Sequence, residues 1–287
     1  MKKEKINFEQ YFSEVYGERW AQLSTALKNP SKQVIRPNGF VSQPAKTTQK
    51  TTDFPFYTSE KNQMVQELSD GLKKYYVMDL ASIICAQSLE VGPADFVLDM
   101  CAAPGGKSLI LFEHLNQGQL WCNELSAARR QKLKNVIREY IPEDQRERIF
   151  IKGKDGSRYG LIHPDTFDKI LVDAPCSGER HLLHNPKELE KWSPKRTKRL
   201  AANQYSLLCS ALLACKSGGH IVYSTCSISP QENDEVIKKL LNKKGHAVVL
   251  DRPTIHHASV EKTEFGMQIL PDQSEHGPIY FSRLLKK

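Results

Sequence analysis

Apolar positions in the first 28 residues recur at helical spacing, with Phe8, Tyr11, Phe12, Trp20 and Leu23 in register and Asn29-Pro30 as the stop, so a helix or two is predicted there. Residues 29–64 lose that period. They are rich in Pro, Thr, Lys and Gln, which predicts loop with short strands. The run YYVMDLASIICAQSL, 75–89, returns to apolar spacing and predicts a helix. From 96 onward strand-like and helix-like runs alternate. FVLDM (96–100), LWCNE (120–124), RIFIK (148–152), DKILVDA (168–174) and HIVYSTC (220–226) read as strands, with helices near 106–116, 126–140, 195–216 and 231–242. AVVLD (247–251), MQIL (267–270) and IYFSRLL (279–285) close the chain without further helices. The alternation predicts an α/β fold with a mostly parallel sheet covered on both faces, and the late strands predict an antiparallel ending. The change in character near residue 92 divides a helical and loop region, 1–92, from a larger α/β domain, 93–287.

Composition narrows the setting. With 287 residues, 39% hydrophobic and 26% charged, the chain reads as an ordinary globular protein, and no segment approaches twenty apolar residues, so no membrane partner is expected. The start, MKKEKINFEQYFSEV, lacks the apolar core of a secretory signal, which predicts a cytoplasmic protein. Seven cysteines, none in a CxxC pair, suggest neither a disulfide framework nor a metal site.

A net charge of +8 favours a polyanionic partner. The charge is concentrated in KELEKWSPKRTKRL, 187–200, with six Lys or Arg against two Glu. A solvated helix face would give the same run. Its place beside a cysteine motif makes Lys195, Arg196, Lys198 and Arg199, with Arg180 and the lysines of the loop at 45–62, the predicted phosphate contacts of a nucleic acid. His181 and His184 stand next to them but read more simply as surface residues.

In open α/β sheets the ligand lies beyond the carboxyl ends of the strands. FVLDMCAAPGGKS, 96–108, ends a strand in Asp99, then offers small residues, Pro104 and the Gly105-Gly106 pair before a helix. It matches neither GxGxxG nor the phosphate loop GxxxxGK[ST], so a pyrophosphate site is disfavoured. Glu124, nineteen residues past Gly105, can take both hydroxyls of a ribose. Asp155 can accept from an adenine amino group, and Asp173 closes the fourth strand. Singly each acid reads as a surface or cap residue; at four successive strand ends they point to a nucleoside, and the cofactor is read as S-adenosylmethionine.

VDAPCSGER, 172–180, and YSTCS, 223–227, each put a thiol at the end of a strand. Carbon 5 of a pyrimidine is a poor nucleophile, so a thiolate must first add to carbon 6. A proton near N3, supplied by Asp173, would favour that addition. After methyl transfer the proton on carbon 5 must leave before the thiolate can be expelled, which gives a second thiol a task. Spacing alone does not order Cys176 and Cys226. Cys85, Cys101, Cys122, Cys209 and Cys215 read as packed thiols.

CAAPGGK, DAPCSGER and YSTCSISPQEN together resemble the Sun/NSUN family of RNA cytosine C5-methyltransferases, from about Tyr75 to the last residue. YYVMDLAS, REYIPED, KDGSRYG and HGPIYFSRL look most like the mitochondrial small-subunit ribosomal RNA branch. The resemblance implies a class I methyltransferase fold, with a Rossmann-like, mostly parallel seven-stranded sheet and an antiparallel final strand, over 93–287. It implies 5-methylcytosine formation in RNA through a covalent cysteine adduct, small-subunit ribosomal RNA as the substrate, and Cys226 as nucleophile with Cys176 serving release. Carried over by motif, cofactor contacts fall on Cys101, Gly105, Gly106, Lys107, Glu124, Arg129, Asp155, Gly156 and Asp173. Family members often have Asp where Glu124 stands, a different reach for the same bidentate role. The larger RNA-binding modules of many bacterial members have no counterpart here, so target selection would fall to the first 90 or so residues; a protein partner is compatible with the resemblance but implied by no residue. Transfer RNA as substrate and a non-catalytic ribosome-assembly factor are the alternatives. A DNA cytosine methyltransferase is disfavoured by the absence of a long target-recognition region, and a nicotinamide dehydrogenase by the missing GxGxxG.

Overall fold

The computed structural model describes residues 6–41, 57–58, 68–69, 71–255 and 257–287. The chain opens with helices α1 (Phe8–Tyr16) and α2 (Arg19–Lys28), the first started by a capping box in which Asn7 and Gln10 bond each other's backbone N–H. Strand β1 (Val34–Pro37) pairs antiparallel with β2 (Tyr57–Thr58) and β5 (Tyr75–Met78), and β3 (Leu68–Ser69) forms a hairpin with β4 (Leu72–Lys73). The helix predicted over 75–89 therefore begins late. Tyr75–Met78, aromatic and β-branched, finds a partner in β1, and Asp79 accepts from Ala81 N at 2.8 Å to start α3 at Leu80–Gln87.

The alternating part follows as β6 (Phe96–Asp99), α4 (Gly106–Glu113), β7 (Gln119–Asn123), α5 (Ala127–Tyr140), β8 (Ile149–Lys152), α6 (Tyr159–Ile162) and β9 (Phe167–Asp173). Helices α7 (Glu179–Leu183), α8 (Pro186–Leu189) and α9 (Pro194–Ala214) lead into β10 (Cys215–Thr225). The chain ends with α10 (Asp234–Lys244), β11 (Val248–Leu250), β12 (Glu261–Lys262), β13 (Met267–Ile269), α11 (Pro271–Ser274) and β14 (Ile279–Lys286).

Strands β8, β7, β6, β9 and β10 lie side by side and parallel, β14 adds antiparallel to β10, and the order reverses between β6 and β9. This is the class I methyltransferase arrangement, but with nine described strands rather than seven. The eight-residue β14 is longer than either neighbour on its outer edge: β13 pairs with its start and β11 with its end, and β12 extends β13. Buried side chains such as Ile84, Ile110 and Leu133 cover one face, and Tyr159, Leu208 and Ile237 the other.

The N-terminal elements are anchored to this sheet. Arg36 of β1, fully buried, pairs with Glu113 of α4 at 2.6 Å, and Asn38 donates to the Tyr140 carbonyl of α5. Phe8, Phe12 and Trp20 pack with Trp192, Leu182 and Ile228, the last two lying just beyond the two cysteines. Tyr16 Oη donates to the Ile228 carbonyl at 2.7 Å.

Candidate active site

A cavity of about 340 Å³ opens beyond the carboxyl ends of β6, β7 and β8. Glu124, 5% exposed, forms one wall. Its carboxylate accepts from Ser126 N at 2.9 Å and pairs with Arg129 Nη1 at 3.1 Å, while Arg129 Nη2 donates to the Ala103 carbonyl at 2.6 Å. The N-cap Ser126 starts α5 at this point and so aims Arg129 back at the cavity. Asp155 caps the short 3-10 turn Gly156–Arg158, its Oδ1 taken by Ser157 N and Oγ. A Cβ on Gly156 would press on two cavity side chains, lying 2.8 Å from Leu207 Cδ2 and 3.1 Å from Met100 Cγ.

Cys101, Glu124, Arg129, Asp155 and Gly156 thus share one cavity. The lining fits S-adenosylmethionine, with two acids to accept from hydroxyl and amino groups and the apolar Met100 and Leu207 for a purine face. A further wall, marked by no motif in the chain, is formed where Leu200, Asn203, Ser206 and Leu207 of α9 face the cavity. Their spacing of three, three and one is that of a single helix face, a signal masked by the basic residues just before it.

Gly105, Gly106, Lys107 and Asp173 stand outside the cavity lining. Gly105, with φ +122°, lets the loop turn against α5, where a Cβ would meet Leu133 at 3.0 Å, and a Cβ on Gly106 would lie 2.8 Å from the Tyr76 ring. Lys107 Nζ donates to Asp173 Oδ2 at 2.8 Å, and Ser224 Oγ donates to Asp173 Oδ1 at 2.9 Å across the β9–β10 register. Burial works against the Lys107 charge, but Asp173 outweighs it and leaves the ammonium raised above its usual range. Asp99 lies beneath the glycine loop, 1% exposed, accepting from Ser108 Oγ at 2.6 Å; burial pushes it up to about 7.

The two thiols meet at the ends of adjacent parallel strands. Cys176 Sγ and Cys226 Sγ are 2.9 Å apart, and Pro175, preceding Cys176, lines the cavity. Cys226 is exposed and Cys176 less so. The hydrogen bond to Cys226, with burial, holds the Cys176 thiol well above its usual range, so Cys176 keeps its proton. Gly178, in the left-handed region at φ +63°, turns the chain from Cys176 into α7 and passes Cys226 closely.

Lys195, Arg196, Lys198 and Arg199 occupy the first turns of α9, where Ser193 caps the helix and Thr197 faces inward. Arg196 leans 3.6 Å from Glu188; Lys195, Lys198 and Arg199 point away from the core. Arg180 is turned to the chain itself, donating to the Asn29 carbonyl at 2.5 Å. The lysines of the 45–62 loop lie outside the described residues. Among the described residues no cluster of His, Cys, Asp or Glu could hold a metal ion, and no helix is long and apolar enough to cross a membrane.

Residues 86–285 match the family described as 16S rRNA methyltransferase RsmB/F. The chain is 36% identical to the 5-cytosine rRNA methyltransferase NSUN4 of Bos taurus over 75% of its length, and spans 60% of that protein. It is 32% identical to the mitochondrial tRNA (cytosine(34)-C(5))-methyltransferase of Danio rerio, covering 97% of this chain and 86% of that one. In structure it is similar to NSun6 from Pyrococcus horikoshii with SFG, at TM-score 0.80 and 18% identity over 98% of this chain and 97% of the other.

Proposed function

This chain belongs to the Sun/NSUN family, through its match to 16S rRNA methyltransferase RsmB/F, and on that footing we propose that it forms 5-methylcytosine in RNA, with small-subunit ribosomal RNA as substrate. The observation that carries the reading is the apposition of Cys176 and Cys226 at the edge of a cavity built for a nucleoside. S-adenosylmethionine, when bound, supplies the electrophilic methyl group. Glu124 and Asp155 would hold it, with Arg129 orienting Glu124.

Cys226 adds as thiolate to carbon 6 of the target cytosine, which makes carbon 5 nucleophilic. That order is the one the family resemblance implies, and the greater exposure of Cys226 is in keeping with it. The Lys107–Asp173 pair holds a proton close by, for the charge that develops on the ring. Once carbon 5 carries the methyl group its proton must leave and the carbon–sulfur bond break, and Cys176 is placed to assist. The base must be flipped or single-stranded to reach the thiols. Lys195, Lys198 and Arg199 provide phosphate contacts. Transfer RNA is the second reading, favoured by the Danio rerio relative that spans nearly the whole chain.

The test uses Cys176→Ala, alone and combined with Cys226→Ala, incubated with cellular RNA and S-adenosylmethionine. The single variant should trap RNA in an adduct that survives denaturing electrophoresis, and the double variant should not. Sequencing the trapped RNA separates ribosomal from transfer RNA. No adduct from either variant, while the unaltered protein methylates RNA, would remove the two-thiol mechanism.

A further inference from the structure

Behind each cysteine stands a serine, and behind the serines lie two buried glutamates that the mechanism above does not use. Glu179, on the Cys176 side, accepts from Ile228 N at 3.0 Å, in the loop of the other cysteine. Glu232, on the Cys226 side, accepts from Ser177 N at 3.0 Å, in the loop of the first. Each loop is therefore pinned by the other loop's acid. Both residues are 0% exposed, and Gln204 of α9 donates to Glu232 Oε2 at 2.6 Å.

The two remaining carboxylate oxygens converge on one hydroxyl. Ser177 Oγ is bonded to both Glu179 Oε1 and Glu232 Oε1 and lies 3.1 Å from Ser227 Oγ, which itself approaches Glu179 Oε1 at 3.1 Å. A hydroxyl donates once, so with both acids ionised Ser177 serves one and Ser227 the other, and two like charges stand buried around the same serine. Among the described residues no lysine or arginine pairs with either carboxylate. The titratable groups facing them are Tyr11 and Tyr16 from α1, Tyr223 from β10, Cys176, and Glu235 near Tyr11, none of them cationic.

We propose that Glu179 and Glu232 share one proton at neutral pH and act as a positioning lock that holds the Cys176 and Cys226 loops within reach of each other. Burial and the neighbouring Glu232 push Glu179 up to about 7, and burial raises Glu232 as well. Loss of the shared proton at alkaline pH leaves two buried anions on one serine, and the loops separate. The consequence for methylation rests on the two-thiol reading; the lock itself does not.

The first experiment is a carbon-13 titration of glutamate side-chain carboxyls in the full chain, assigned with Glu179→Gln and Glu232→Gln. One carboxyl should titrate at about 7 and disappear in either variant. Ordinary titration of both acids would overturn the proposal whatever the enzymatic activity. The second is the rate at which the thiol oxidant diamide joins Cys176 to Cys226 in the absence of RNA. Glu179→Ala and Glu232→Ala should slow it about tenfold or more while the Gln variants stay near the unaltered rate, because a misplacement of about 1 Å is costly to a reaction between fixed groups. Equal rates in folded Ala variants would refute the lock. If the Ala variants do not fold, the Gln variants decide: their joining and methylation rates, taken relative to the unaltered protein, should rise above about pH 7, and a flat ratio refutes it.

Discussion

Lys107 Nζ lies 2.8 Å from Asp173 Oδ2, so the lysine that follows the glycine loop and the acid that ends β9 form one ion pair across the topological switch of the sheet. Neither residue belongs to the cavity lining, although both stand in motifs expected to meet the cofactor. Lys107→Met should therefore leave cofactor affinity within a fewfold of the unaltered protein and lower methyl transfer by about 100-fold, the usual scale of a lost proton donor. Calorimetry with S-adenosylhomocysteine beside a single-turnover methylation assay checks the split; a large loss of binding with normal chemistry would reassign Lys107 to the cofactor.

Glu124 is the acid most fully committed to the cavity. Glu124→Ala removes a carboxylate that is 5% exposed and releases Arg129, and hydrogen bonds from a charged group contribute about 1.5–3 kcal/mol. Cofactor affinity should fall about 10- to 100-fold with the fold intact. Unchanged affinity in calorimetry would move the ribose contact elsewhere.

Asp99 makes stability depend on pH in a stated direction. Folded, it ionises at about 7; unfolded, near the ordinary value of about 3.9. Between those values the native chain holds the extra proton, so the stability contributed below about pH 4 is lost as pH rises to about 7. Glu179 acts in the same window. Urea unfolding at several pH values should show a slope that is shallower in Asp99→Asn, and identical slopes would mean that Asp99 is ionised in the folded chain.

Phe12 stands at the centre of the aromatic cluster, with ring centroids 5.4 Å from Trp20 and 5.8 Å from Trp192. Phe12→Ala should cost about 3–5 kcal/mol, as for other buried aromatic truncations. Because Leu182 and Ile228 share that cluster, the same variant should slow adduct formation in Cys176→Ala. A stable Phe12→Ala protein in urea titration would show that the N-terminal helices are dispensable.

On the proposed reading, the start of α9 carries the phosphate contacts. Replacing Lys195, Arg196, Lys198 and Arg199 by Ala should weaken RNA binding and reduce its logarithmic salt slope by about 0.7–0.9 for each phosphate that is no longer neutralised. Arg196 should contribute least, since Glu188 already holds it. Binding and slope that do not change would exclude this face.

The alternation of strands and helices, the parallel order and the strand-end acids were legible from the chain because period and strand-end position are local properties. Tyr75–Met78 was not: its apolar run suits a helix or a strand equally, and β1, about forty residues earlier, settles the matter by pairing. The strand count failed for a related reason, since only the length of the β14 edge decides how many short partners it takes.

In the site, sequence by itself determined which chemistries were present: two thiols after neighbouring strands, and acids at successive strand ends. Tertiary structure alone decided their partners. It gave Lys107 to Asp173, turned Arg180 to Asn29, brought a face of α9 over the cavity, and crossed Glu179 and Glu232 between the cysteine loops. Residue type and strand position follow from neighbours in the chain, whereas a hydrogen bond between groups about fifty residues apart exists only once packing has fixed the distance between them.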